Sequence, residues 1–283
     1  MVASVMGTRF GFFRQRWFQI FVGGVLLFFA AEQTLKFTGN LNFLPMVILL
    51  GAFVVPATFV AFFYGQERTV DKAAHLETPL ITAAICFFIG GVIGIVVAGF
   101  LEYATLRNLT VFGLFGVGLI EESAKLIFPI AMYIRARFYS EADGLLFGIA
   151  SGMGFAALET MGYGLVTLIQ SQGNVGILEE VLLIRGLLSP VGHAAWTGLV
   201  CATLWHERER TGRLFNPRVI GIFVLAVVLH ALWDIAGSSQ QVFIAYPGYL
   251  VIGGISLALL IRRLREAKRS TTSAKSQTSL PSP

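Results

Sequence analysis

The sequence predicts an all-α polytopic membrane protein with about eight transmembrane helices and both termini in the cytoplasm. Three observations carry this reading. Hydrophobic residues make up 55% of the chain, charged residues only 13%, and the mean hydropathy is +0.75, too apolar for a soluble domain of 283 residues. Eight apolar stretches are each long enough, at about 20 residues, to cross roughly 30 Å of hydrocarbon as a helix. With the termini inside, 17 of the 21 Lys and Arg residues fall in inner segments, the lopsided distribution that positively charged cytoplasmic loops produce.

The spans are expected in order. The first, Trp17 to Leu35, follows Arg9, Arg14 and Arg16. Its length and its lack of a small-x-small cleavage site favour a retained anchor over a cleaved signal. Phe43 to Tyr64 and Leu80 to Leu101 follow, the latter with Cys86. The fourth, Leu109 to Ile134, carries Glu121, Glu122 and Lys125 in its middle and Pro129 beyond them. The fifth, Ala142 to Ile169, has glycine at every fourth position (Gly144, Gly148, Gly152), a pattern for close packing against a neighbour, and then Glu159. The sixth, Gly186 to Trp205, contains Pro190, His193 and Cys201. The seventh, Val219 to Ala236, contains His230 and Asp234, and the eighth is Phe243 to Ile261.

The domain organisation follows. Residues 1–16 form a cytoplasmic segment, 17–265 a membrane domain whose chemistry is concentrated in 109–236, and 266–283 a basic tail rich in Ser, Thr, Lys and Pro that is expected to be disordered. The net charge of +5 is accounted for by basic inner loops beside anionic lipid headgroups, and no nucleic-acid-binding motif accompanies it. Cys86 and Cys201 stand singly inside spans, where a small buried side chain is the expected role.

The polar residues at depth are the informative ones. A carboxylate at the bilayer centre costs about 3 kcal/mol or more, so Glu121, Glu122 and Lys125 within five residues demand compensation. On antiparallel spans, Glu121 and Glu159 fall near the midplane, His193 and Asp234 nearer the outer face and His230 between, so they can share a pocket in the outer half of the membrane. Lys125 lies one turn from Glu121, and His230 one turn from Asp234. A histidine beside a carboxylate recurs in metal ligation and in orienting imidazole. Other polar residues read as bystanders. His75 and His206 lie in polar cytoplasmic segments, Glu179, Glu180 and Arg185 at the outer surface, and Glu32 and Glu102 near outer span ends within reach of water.

Taken in order on consecutive spans, "EESAK" (Glu121, Glu122, Lys125), "FAALE" (Phe155, Glu159), "HAAWT" (His193) and "HALWD" (His230, Asp234) resemble the PrsW family of intramembrane proteases, a branch of the group that includes the CAAX-prenyl endopeptidases and Abi proteins. The resemblance implies hydrolysis of a membrane-anchored protein, with an anti-sigma factor as the associated substrate and the bacterial plasma membrane as the location. It departs from CAAX relatives at Glu159, where they carry histidine, and from relatives that end the last motif with asparagine, where this chain has Asp234.

Peptide hydrolysis needs an activated water, a proton carrier and oxyanion stabilisation. Glu121 is assigned as general base, with Glu122 as its partner and second candidate and Lys125 offsetting their charge. In a metal-dependent version, Glu159, His193, His230 and Asp234 form a ligand set suited to Zn2+. In a metal-free version Glu121 acts directly and the histidines supply the oxyanion donors. The acidic character of Glu159 and Asp234 favours the first. Two rival classes fit the buried charges less fully: a proton- or cation-coupled transporter, and a catalytically idle scaffold for a partner helix.

Overall fold

The computed structural model describes residues 13–70, 78–105, 111–135, 137–213, 216–239 and 241–278. The expected N-terminal segment through residue 12 and His75 lie outside the described residues. Among those described, the secondary structure is helical, without strands. The helices are α1 (Arg16–Thr38), α2 (Leu44–Val70), α3 (Leu80–Thr105), α4 (Val111–Ile134), α5 (Glu141–Gln170), α6 (Val175–Leu188), α7 (His193–Thr211), α8 (Pro217–Ser238) and α9 (Val242–Thr278).

Six of them, α1, α2 (through Gln66), α3, α5, α8 and α9 (through Ala267), are long and apolar enough to cross a membrane by length and composition. The chain is a multi-pass membrane protein. In α4 the apolar run is interrupted by Glu121, Glu122 and Lys125, and the second half of α7 reads "HERER".

The expected sixth span is not one continuous helix. Asn174 caps α6, accepting from the Ile177 N–H at 3.3 Å, and α6 ends at Leu188; a 3-10 turn, Ser189–Val191, follows before α7 starts at His193. Pro190 lies within the break, where its missing N–H leaves the carbonyl four residues earlier without a backbone donor. His193 thereby becomes the first residue of α7 rather than a mid-span residue. The segment from Glu266, expected to be disordered, is helical through Thr278. Arg262 and Arg263 donate to Glu266 at 2.9 and 3.2 Å, one turn away, and carry the helix past the apolar run.

Two compact units are present. One combines the chain up to Gly65 with Ala156–Pro190, and the other combines Gln66–Phe155 with Val191 onward, so α5 contributes its first half to one and its second half to the other. The core of the first unit gathers Ala31 and Leu35 of α1, Val47, Ile48 and Ala52 of α2 and Leu178 and Leu182 of α6. In the second unit α8 packs against α4, α7 and α9, and α4 against α3 and α7.

Glycine sets the closest approaches in this second unit. A Cβ on Gly144 would fall 2.7 Å from the Trp205 ring, on Gly148 2.5 Å from the Thr197 carbonyl oxygen, and on Gly152 2.4 Å from the His193 carbonyl oxygen. The every-fourth-residue stripe therefore seats α7 along α5. At Gly154 a Cβ would sit 1.8 Å from the Phe87 carbonyl oxygen, within the π-helical turn Cys86–Gly90 of α3. Gly118 of α4 brings α8 close in the same way, its absent Cβ lying 3.0 Å from the Val227 carbonyl oxygen and 3.4 Å from the His230 Cβ.

Candidate active site

The interior of the second unit holds a connected polar cluster. Lys125 is fully buried, and Nζ donates to Glu121 Oε2 at 3.0 Å and to Glu122 Oε1 at 2.8 Å. The i+4 and i+3 spacings put both carboxylates over the ammonium on one face of α4. Lys125 Nζ also lies 4.3 Å from the centroid of the Phe155 ring on α5. Ser151 of α5 donates to the Lys125 carbonyl at 2.7 Å, tying the two helices at this level.

Glu122, 1% exposed, is the junction. Its Oε1 lies 2.8 Å from His230 Nδ1 on α8, and its Oε2 accepts from Thr197 Oγ1 on α7 at 3.2 Å. Because an ionised carboxylate only accepts, His230 Nδ1 carries the proton and donates, which turns Nε2 toward the rest of the cluster. There Nε2 stands 3.5 Å from Glu121 Oε2 and 3.5 Å from Asp234 Oδ2. Those separations exceed an ordinary N–H···O bond.

An aromatic frame holds the imidazoles. Trp196 stacks on His230 with ring centroids 4.9 Å apart at 29°. Trp196 Nε1 donates to Ser256 Oγ of α9 at 2.9 Å, and that hydroxyl donates to the Ile252 carbonyl at 2.8 Å. His193 stacks on Phe155 at 5.8 Å and 28°, and meets the edge of His230 at 5.8 Å and 80°. His193 and Asp234 are half-buried, whereas Glu121, Glu122, Lys125 and His230 are buried.

Glu121 and Glu122 thus share one buried ammonium, and Nε2 of His230 stands between Glu121 and the half-buried Asp234. Such a set repels itself unless a proton or a cation sits among the donors. Imidazole nitrogen with carboxylate oxygen, backed by a carboxylate on the far ring nitrogen, is the donor chemistry of a zinc-type metal site, so these residues fit a divalent cation.

Six of the seven residues singled out from the sequence, Glu121, Glu122, Lys125, His193, His230 and Asp234, belong to this unit. Glu159 belongs to the other, one turn beyond Phe155 on α5, and there Arg185 Nη2 lies 2.9 Å from its Oε2, with the Arg185 guanidinium 3.8 Å from the Tyr163 ring centroid. Arg185, expected as a surface cation, is thus the partner of Glu159.

Three participants were not singled out. Thr197 carries the signal of standing four residues after His193, on the same face of α7. Trp196 sits within the quoted "HAAWT", while Ser256 is a lone hydroxyl in an apolar run with no local signature.

Away from the cluster, polar residues also pair more than the sequence suggested. His206, expected to be solvated, has Nδ1 2.8 Å from Glu141 Oε2, and Arg263 Nε lies 2.8 Å from Glu141 Oε1. Glu32, expected to reach water, is 5% exposed and is paired with Lys36.

Residues 78–261 match the family model for "PrsW family intramembrane metalloprotease". Searches of curated proteins and of solved structures find no match. The matched range takes in the whole buried cluster and extends into α9 as far as Ile261, past Ser256, which supports Trp196.

Proposed function

The chain belongs to the PrsW family of intramembrane metalloproteases, and on that premise we propose that it is an endopeptidase that cuts a membrane-anchored protein within the outer half of the bilayer. The observation that carries this reading is the contact between Glu122 and His230. Glu122 holds Nδ1 at 2.8 Å, so Nε2 is presented to Glu121 and Asp234.

The roles divide by how each group is engaged. Glu122, bonded to Lys125, His230 and Thr197, has its acceptor capacity committed and serves as a positioning residue. Glu121, bonded to Lys125 at 3.0 Å, is the general base. It takes a proton from water as the oxygen adds to the scissile carbonyl carbon, then returns that proton to the amide nitrogen as the C–N bond breaks, leaving a carboxylate and an amine. Lys125 Nζ, 3.0 Å away, offsets the charge of Glu121. In the metal-free alternative His193, half-buried and stacked on Phe155, donates to the substrate carbonyl as its negative charge develops.

A divalent cation such as Zn2+, when bound, polarises the carbonyl and lowers the pKa of water. Glu121 and His193, which offer ligand atoms within 4.8 Å of each other, would hold it, with His230 and Asp234 as further donors.

In this reading α4 and α7 also cross the membrane, making eight spans with both termini cytoplasmic, and the location is the bacterial plasma membrane. The substrate class is a single-span protein, of which an anti-sigma factor is the instance the family resemblance implies.

The test is purified protein in liposomes, assayed both for cleavage of a single-span substrate and for proton or cation flux. Cleavage that vanishes in Glu121→Gln, without flux in the parent, is the expected result. Flux without cleavage would replace the protease by a transporter.

A further inference from the structure

The first unit contains a recess unrelated to the buried charges of the second. It measures about 390 Å3 and is walled by one face each of α1, α2 and α6, with Phe28, Val54 and Leu183 among its apolar lining. Its polar end carries Glu32 of α1 and Glu179 and Glu180 of α6. Lys36 bonds both Glu32 and Glu179, the latter at 3.0 Å, so a single ammonium bonds two of the three carboxylates. The end is left with a formal excess of two negative charges.

Size decides what can enter. A helix is about 10–12 Å across with its side chains, so a space of this volume would hold roughly one turn of it, too little to seat a substrate or a second copy of the chain. A methylene group is close in size to a water molecule, which takes about 30 Å3 in the liquid, so the recess holds on the order of a dozen methylenes. That is the volume of one acyl chain. Gly51 and Gly186 keep the recess open: α2 and α6 meet with the Gly51 carbonyl oxygen 3.4 Å from where a Gly186 Cβ would be, and neither residue contributes a side chain to the space.

We propose that this recess is a site for a phospholipid with a primary ammonium headgroup, phosphatidylethanolamine in kind. Its acyl chain lies along Phe28, Val54 and Leu183, and its ammonium lies at Glu179 and Glu180. The charge excess selects the headgroup: a hydrogen-bonding ammonium neutralises carboxylates at the end of an apolar slot, and an anionic phosphatidylglycerol is repelled. Glu180, exposed beside the recess, makes the first contact, and the buried Glu32, paired with the exposed Lys36, lines the recess behind it.

The experiment is native mass spectrometry of the full chain extracted from bilayers of equal phosphatidylethanolamine and phosphatidylglycerol. One phosphatidylethanolamine should be retained per chain in preference to phosphatidylglycerol. Glu179→Gln with Glu180→Gln should weaken that retention about tenfold or more, the loss expected when charge-assisted bonds are removed. Val54→Phe should abolish it by filling the slot, and Ile169→Phe, on an exposed face of the same unit, should leave it unchanged. A photoreactive benzoylphenylalanine in place of Leu183 should crosslink to lipid. Equal retention of the two lipids, retention unaffected by the paired Gln substitutions, or a crosslink to polypeptide would each overturn the proposal.

Discussion

His230 Nδ1 and Glu122 Oε1 lie 2.8 Å apart across α8 and α4, both side chains buried. This one bond separates two adjacent glutamates into different jobs, because it commits Glu122 to the imidazole and leaves Glu121 on the side where Nε2 points.

Glu121→Gln should fold like the parent and lose cleavage, because an amide of the same shape cannot accept a proton from water. Glu122→Gln should behave differently. It removes the charge that Lys125, His230 and Thr197 share, and should cost about 3 kcal/mol of stability, measured as a fall in the thermal or denaturant midpoint. A stable, inactive Glu122→Gln beside an active Glu121→Gln would transfer the base to Glu122.

Asp234→Asn tests the cation. Asparagine keeps the shape but replaces an anionic oxygen with a weak neutral one. Metal content measured on the purified protein should fall together with activity, and the parent should be inhibited by a strong chelator. An active Asp234→Asn protein that carries no metal and resists chelator would leave Glu121 as a metal-free base.

Gly152→Ala places a methyl group 2.4 Å from the His193 carbonyl oxygen, which is backbone and cannot swing aside. The expected cost is about 1–3 kcal/mol with a parallel loss of cleavage, since the start of α7 must shift. Gly221→Ala on α8 meets nothing within 4 Å and should be neutral or stabilising by up to about 1 kcal/mol. Equal tolerance of both would mean that α5 and α7 do not pack through this glycine.

Ser256→Ala removes the acceptor of the buried Trp196 N–H, leaving an unsatisfied donor at a cost of about 1–3 kcal/mol. Because Trp196 stacks on His230, kcat should fall severalfold with KM nearly unchanged, and Ser256→Thr should restore it. A Ser256→Ala protein with unaltered kcat would show that the Trp196 ring is held by packing alone.

Orientation is open to direct labelling. Cysteines introduced at Lys36 and Ser239 should react with an impermeant thiol reagent on intact cells, and one at Arg210 should not. The reverse pattern would turn the pocket toward the cytoplasm and exclude a cut in the outer half of the membrane.

The sequence by itself determined the helical, multi-pass class and the family, because hydropathy over a span-length window and the order of short motifs are properties of the chain read in one dimension. It also marked Glu121, Glu122, Lys125, His193, His230 and Asp234, since burying ionisable groups is costly enough that few survive without purpose.

The tertiary structure decided how those groups meet. Depth along a span says nothing of the rotation of one helix about its axis, so the sequence could not tell which oxygen of which glutamate reaches His230, or that Thr197 and Trp196 hold the junction from α7. It could not place Ser256, a hydroxyl indistinguishable in an apolar run until α9 brings it to Trp196. The break before His193 turned on how the backbone resolves Pro190. The pairing of Glu159 with Arg185 was hidden because the two residues are distant in the chain and meet only when α5 and α6 pack, and close packing of side chains is the one relationship that no local pattern encodes.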